Sequence, residues 1–418
     1  MARHHAHPAD LGGRWRQLAF GMMGFMNGDR PPGVTLANWD LGGKPSAWAY
    51  LHAGELLPTA AIPVARAAAE LQVAEQDSIG RFAVEPEVTL DDYVAHGPVS
   101  GIVVVLGGRI VYQRYPRMRP GQRHFMMSVT KAFTSALTGI LEQRGLLDLS
   151  APVDAVVTEL AGSGWAGVPA RDVLGMASGI GCLDDNTPGA CTDPDHPFYR
   201  FEATLGWRPA GGGLVPSPYE FVAGLPAGRP PGQRYEYVSA NTFVLSWLIE
   251  RATGLPFAEV LRREIWSQAG FEAPAQLSGS AAGAPGSHGG LSITLRDLAR
   301  FGMLFTPSSR LVSDADIITA GHLRLIQASG RPELHEYDPA SLPDYVTAAY
   351  GPELPPASRQ WNFAMPDGDL FKGGYGGQGL YVSPGRDLVI AFAGVPRADG
   401  SASLLRWYSR RLALSIAR

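Results

Sequence analysis

Ser128-Val129-Thr130-Lys131 runs without a break into an apolar stripe, Ala132, Phe133, Ala136, Leu137, Ile140 and Leu141, that stops at Gly145. The i, i+3, i+4 spacing predicts a helix with one buried face, and the glycine reads as its C-terminal stop. The stripe commits this helix to a core. It takes a hydroxyl and an amine with it, because residues three apart share a helix face. A serine hydroxyl becomes a nucleophile when a base removes its proton, and a desolvated lysine can be that base. Of 35 basic residues (Lys and Arg), only Lys44, Lys131 and Lys372 are lysines. Arginine keeps its proton in proteins and lysine can lose it, so lysine in an arginine-rich chain marks a place where deprotonation is of use.

Around that helix the local signals alternate. Ser100–Leu106 is a β-branched apolar strand, Gly107-Gly108 a two-residue hairpin turn and Arg109–Arg114 the return strand. Residues Asn241–Ala252 form an amphipathic segment ending at Gly254, and Thr294–Leu304 another helix. Toward the end, strands Gly379–Ser383 and Leu388–Ala393 flank a turn at Pro384–Asp387, and a helix from about Ser401 to Ile416 follows. Strands at both ends with helices between them predict one antiparallel sheet and an inserted helical subdomain, an α+β fold. Residues 1–95 have no clear hydrophobic period and read as an extension wrapped over the domain, with a short helix at Val64–Val73. Residues 96–418 read as the catalytic domain: an α/β part over 96–125 and 286–418, and a helical part over 126–285.

Length and composition bound the function. With 45% apolar and 18% charged residues the chain is globular, and a net charge of −4 gives no basis for binding nucleic acid or an anionic membrane. No stretch reaches the roughly 18–20 apolar residues of a membrane helix. The polar start, with His4, His5 and His7, reads as a solvated tail, and the run Leu18–Met26 is broken by glycines and lacks a cleavage signal. A cytoplasmic location is expected. Cys182 and Cys191, nine apart in a Gly/Asp/Pro-rich loop, are either two free thiols or a local disulfide. Neither Cys-x-x-Cys nor His-Glu-x-x-His occurs, so no metal or other cofactor is expected.

Acyl transfer by serine needs a nucleophile, a base, a proton relay and an oxyanion hole. Ser128 is the candidate nucleophile, and its own N–H, at a helix N-terminus, one oxyanion donor. Lys131 is the candidate base. Tyr237, in the run Pro231–Asn241, is the candidate relay, with Tyr235 competing; a phenol beside Lys⁺ is expected to lie near its deprotonated state. Lys372-Gly-Gly-Tyr-Gly-Gly-Gln378 precedes a strand. Gly374 and Gly376 let substrate approach the backbone, Tyr375 N–H is the second oxyanion candidate, and Lys372 would face a carboxylate or polar tail of the acyl group.

Ser-x-x-Lys, then Tyr-x-Ser, then a Lys-Thr-Gly-like strand, in this order, resemble the three motifs of penicillin-binding proteins and serine β-lactamases. The chain is most similar to their class C-type branch, and within it to the 6-aminohexanoate-dimer (nylon-oligomer) hydrolases. That similarity rests on the stretches His124–Lys131, Tyr237–Thr242, Gly289–Arg300, Arg359–Trp361, Gly376–Gln378, Trp48–Tyr50 and Pro58-Thr59. It implies a β-lactamase/DD-peptidase-like fold and an acyl-Ser128 intermediate, with Lys131 as base, Tyr237 as relay and Tyr375 N–H in the oxyanion hole. It also implies that Ser239 and His288 line the substrate cleft. The sequence departs from the pattern at two places. Gly373 replaces the Thr of Lys-Thr-Gly, and Met176–Asp185 offers Cys182 or Leu183 where the nylon-oligomer hydrolases have a substrate-contacting tyrosine. The expected partner is a small ester or amide. The same residues would serve an acyltransferase, and a non-catalytic penicillin-recognising sensor is the remaining reading.

Overall fold

The computed structural model describes residues 31–416 apart from 69, 211–214 and 338–341. The histidine tail and the run 18–26 lie outside the described residues. Twelve strands occur among them: β1 Thr59–Ile62, β2 Ala83–Glu85, β3 Val88–Thr89, β4 Val99–Leu106, β5 Arg109–Arg114, β6 His124–Phe125, β7 Ala275–Ser278, β8 Leu291–Ile293, β9 Phe363–Ala364, β10 Leu370–Gly374, β11 Gln378–Ser383 and β12 Leu388–Gly394.

The main sheet has six antiparallel strands in the order β5-β4-β12-β11-β10-β9. Its central strands are covered on both faces, which explains why β4 reads as one continuous apolar run. Val103 and Val105 join the larger core, while Ile102 and Val104 join a second core with Trp407, Tyr408 and Leu412 of the terminal helix. Gly107 and Gly108, at φ 56° and 73°, make the β4–β5 hairpin turn, a backbone that matches the strand twist and favours glycine. Helix Thr130–Gln143 is buried from Thr130 to Leu141, and in the larger core its Phe133 stacks on Phe301 of helix Leu295–Met303 at 3.7 Å between ring centroids.

Three expectations from sequence need correction. A second antiparallel sheet, β1-β7-β8-β6, stands beside the main one. It draws β1 from the N-terminal segment and β7 from within 126–285, a pairing of residues more than 200 apart that no local pattern announces. The described residues among 64–73 form no helix. Gln72 accepts from Ile110 N–H, Val73 bridges Ile110, and Ala74 N–H returns to Ile110 O, so edge pairing on β5 overrides the alanine-rich propensity. The terminal helix also starts late, at Leu405, because 397–401 closes a turn and Ser403 Oγ accepts Leu405 N–H.

Candidate active site

β6 delivers the chain to a single 3-10 turn, Met127–Val129, that leads into helix Thr130–Gln143. Met127 has φ 46°, a left-handed backbone that L-residues adopt at a cost of about 1 kcal/mol. The bend presents Ser128 at the head of the helix, partly accessible, while Lys131 beneath it is fully buried. Lys131 Nζ lies 3.1 Å from Ser128 Oγ, 2.9 Å from Ser239 Oγ and 3.0 Å from His288 O. A neutral amine has two donors and one lone pair. It can therefore donate to Ser239 and His288 while accepting the Ser128 proton. Burial pulls the Lys131 ammonium down to about 8, against the opposing charges of Asp185 and Glu202.

Tyr237 closes the cluster. Its ring lies 4.9 Å from both Lys131 Nζ and Lys372 Nζ, and its hydroxyl is 3.2 Å from Lys372 Nζ. Tyr235 points elsewhere, stacked on His335 at 4.3 Å, which separates the two tyrosines that sequence left in competition. The phenol is not held near deprotonation. Burial pushes its pKa well up, Asp185 and Asp184 add to the rise, and the neighbouring Ser128 hydroxyl and Arg406 charge offset it only in part. Tyr237 is therefore a protonated phenol at neutral pH. Lys372, expected to face a substrate tail, is instead fully buried behind that phenol. Burial and the Lys131 and Arg406 charges hold its pKa well below the usual range.

The remaining predicted residues fall as follows. Ser239 begins helix Ser239–Thr253 and turns its hydroxyl to Lys131. His288 contributes its carbonyl and not its ring. The imidazole is buried against Trp207 at 4.9 Å and Phe201 at 5.0 Å, and burial keeps it neutral, with its pKa down to about 4. Gly374 ends β10 against the nucleophile turn, and Tyr375 follows it with its ring 45% exposed. Gly376, at φ 94°, packs where a Cβ would meet Pro396 and Tyr50. Cys182 and Cys191 are free thiols. Cys182 packs half-buried against the core, with its thiol pushed up to about 12 chiefly by burial and then by the Asp185 charge.

A Cβ on Gly374 would come within 2.6 Å of Met126 O and 3.1 Å of Met127 Cβ. Gly374→Ala must therefore push β10 away from Ser128. A displacement of that kind is expected to slow acylation about 10²-fold, read as the rate of covalent labelling at Ser128.

Sequence reasoning missed what surrounds this cluster. Asp184 and Asp185, within a loop the sequence singled out only for its lost tyrosine, accept from Tyr237 N–H at 2.6 Å and Ser239 N–H at 2.7 Å. Arg208, fully buried, makes a two-point pair with Asp40 and bonds Glu202 at 2.8 Å, and Glu202 in turn lies 4.0 Å from His288 Nε2. Sequence offers one signal for the former, two adjacent carboxylates after a glycine-rich turn; the 168-residue separation of Asp40 and Arg208 offers none. A cavity of about 730 Å³ elsewhere is lined by Tyr219, Trp247, Glu250 and Arg251. Its Glu250 is bonded to Tyr219 and Phe257 N–H and its Arg251 to Glu159. Among the described residues no group of His, Cys, Asp and Glu could hold a metal ion, and no helix is long and apolar enough to cross a membrane.

An α/β frame of antiparallel sheets, with Ser128 and Tyr237 over the buried Lys131 and Lys372 at the edge of β10, defines a β-lactamase/penicillin-binding-protein-like fold. The β-lactamase family model matches residues 89–394, and the chain belongs to that family. It is 30% identical over 359 residues to a 6-aminohexanoate-dimer hydrolase of Paenarthrobacter ureafaciens, covering 85% of this chain and 86% of the relative. A solved structure described as a 6-aminohexanoate-dimer hydrolase from Bacillus anthracis matches with a TM-score of 0.74 at 22% identity, over 92% of this chain and 96% of that one. EstCE1, a hydrolase with promiscuous acyltransferase activity, matches with a TM-score of 0.53 at 13% identity, over 78% and 96%. The chain is thus an enzyme of a hydrolase family.

Proposed function

We propose that this protein is a serine hydrolase that cleaves an ester or amide bond of a small molecule through an acyl-Ser128 intermediate. One observation carries the reading: a fully buried lysine amine 3.1 Å from an accessible serine hydroxyl, with its other contacts already filled. Neutral Lys131 takes the Ser128 proton as Oγ bonds to the substrate carbonyl carbon. The oxyanion that forms is held by the N–H groups of Ser128 and Tyr375. Tyr237 gives its phenolic proton to the departing oxygen or nitrogen as that bond breaks, and the Lys131 ammonium returns a proton to the phenol. Water then repeats the sequence on the ester of Ser128, releasing the acid.

The substrate differs from a nylon oligomer in this reading, because no tyrosine stands at Cys182 or Leu183 to contact the substrate amide. The same residues would serve one further activity, in which an amine or alcohol in place of water accepts the acyl group. EstCE1 combines the two activities in its own description.

The test is intact-mass analysis after incubation with a p-nitrophenyl phosphonate ester. A single adduct on Ser128, absent from Ser128→Ala, is expected. No adduct on the wild-type protein, or an undiminished one on Ser128→Ala, overturns the reading and leaves the non-catalytic sensor. Adding an amine during turnover of a p-nitrophenyl ester then measures how much acyl group reaches amide instead of free acid.

A further inference from the structure

The loop Cys182–Thr187 contributes two adjacent carboxylates to one short segment of chain. Asp184 Oδ2 accepts Tyr237 N–H at 2.6 Å, Asp185 Oδ2 accepts Ser239 N–H at 2.7 Å, and Asp185 N–H donates to Tyr237 O at 2.9 Å. Three hydrogen bonds thus fix residues 237–239 from outside. Ser239 N–H is one of the free donors at the start of helix Ser239–Thr253, where the backbone field favours a negative charge. The hydroxyl of the same Ser239 touches Lys131 Nζ at 2.9 Å. Ser239 therefore links the Asp185 carboxylate to the Lys131 amine.

We propose that Asp185 is a positioning residue for the reaction at Ser128: its carboxylate sets the 237–239 segment in place and supplies the counter-charge against which Lys131 gains and loses its proton. The inference rests on the reading of Lys131 as the base. The charged and titratable groups around that amine come from every neighbouring element: Tyr237 above, Lys372 from β10, Glu202 from helix Pro197–Thr204, the neutral His288, Asp184 beyond Tyr237, and Arg406, whose charge acts on Tyr237 and Lys372. Burial favours loss of the Lys131 proton. Asp185 leads the groups that oppose it, followed by Glu202. Lys131 in turn acts on Asp185, whose carboxyl burial raises to about 7 while the ammonium and Ser239 draw it back. The pair titrates as a unit.

Asp185→Asn separates the two duties, since the amide oxygen still accepts Ser239 N–H but carries no charge. The rate of Ser128 acylation by a p-nitrophenyl butyrate ester rises with pH as Lys131 becomes neutral. In Asp185→Asn its midpoint is expected about one pH unit lower than in wild type, and Asp185→Glu is expected to restore it. A midpoint that stays or rises in Asp185→Asn, while Ser128→Ala and Lys131→Met are inactive, overturns the role of Asp185 and leaves the acyl-enzyme reading standing. Wild-type rates in Ser128→Ala or Lys131→Met overturn both. Where Asp185→Asn does not fold, the unaltered enzyme supplies the measurement. With three lysines in the chain, the ¹³Cε resonance of Lys131 can be followed by NMR and is expected to report two ionisations, its own and the carboxylate's. One inflection alone overturns the coupling.

Discussion

Lys131→Met is expected to slow acylation of Ser128 by about 10³–10⁴-fold while leaving the fold intact. Methionine fills a similar volume without an amine, so the change removes the base and little of the packing. Three acceptors lose their shared donor: Ser128 Oγ, Ser239 Oγ and His288 O. Two of these are hydroxyls that can rotate, and the buried ammonium, whose desolvation opposed folding, is gone as well. Asp185 loses its counter-charge but is already displaced toward its neutral form by burial. Urea midpoints for the two proteins should therefore lie close together while their burst rates differ by orders of magnitude. The pH dependence supplies the second signature. Wild-type acylation climbs as Lys131 sheds its proton, with its pKa held at about 8, and the residual rate of Lys131→Met should lack that rise. The double variant Ser128→Ala/Lys131→Met should be no slower than the slower single one, because the two groups act as a unit.

How much of this was legible without coordinates depends on how local each signal is. Ser128 and Lys131 meet because the 3-10 turn Met127–Val129 and the helix that continues it bring residues three apart together, a local relation. The hairpin at Gly107-Gly108 and the helix ends at Gly145 and Gly254, all at positive φ, are local in the same way. Beyond the family resemblance, what separates Tyr237 from Tyr235 is contact with Lys131 and Lys372, 106 and 135 residues away in the chain by their numbering. Its protonation state depends on burial and on Asp184 and Asp185, which no motif weighs. Lys372 illustrates a subtler limit. The motif puts it on the strand that reaches Tyr237, yet whether its amine faces substrate or backs the phenol is set by side-chain burial, not by strand register. The helix expected at 64–73 failed for the converse reason: a weak local preference was outweighed by edge pairing with a distant strand.

Arg208→Ala is expected to be among the most destabilising single changes, at about 3–5 kcal/mol, because of what it leaves behind. Arg208 ties Asp40 of the N-terminal segment to Glu202 of helix Pro197–Thr204, with all three side chains essentially buried. Burial pulls the Asp40 carboxyl up and the guanidinium pulls it down. The two-point pairing and the lowered Glu202 carboxyl argue for an ionised triad. Truncation removes the cation and strands two carboxylates in a site walled by Trp39 and Trp207, whose own link, Trp39 Nε1–H to Trp207 O at 2.9 Å, spans the same junction. The pH dependence of the loss has a definite sign. Carboxylates whose folded-state pKa rises above the unfolded value favour folding at acid pH, and that contribution is lost as pH climbs through the folded-state value. The deficit of Arg208→Ala in urea unfolding should therefore be smallest in acid and widen toward neutrality, and Asp40→Asn in the same background should narrow it at neutral pH. A constant deficit across that range would mean that packing, not stranded charge, carries the effect. Activity should fall with stability, since Glu202 flanks His288 and the His288 carbonyl holds the amine of Lys131.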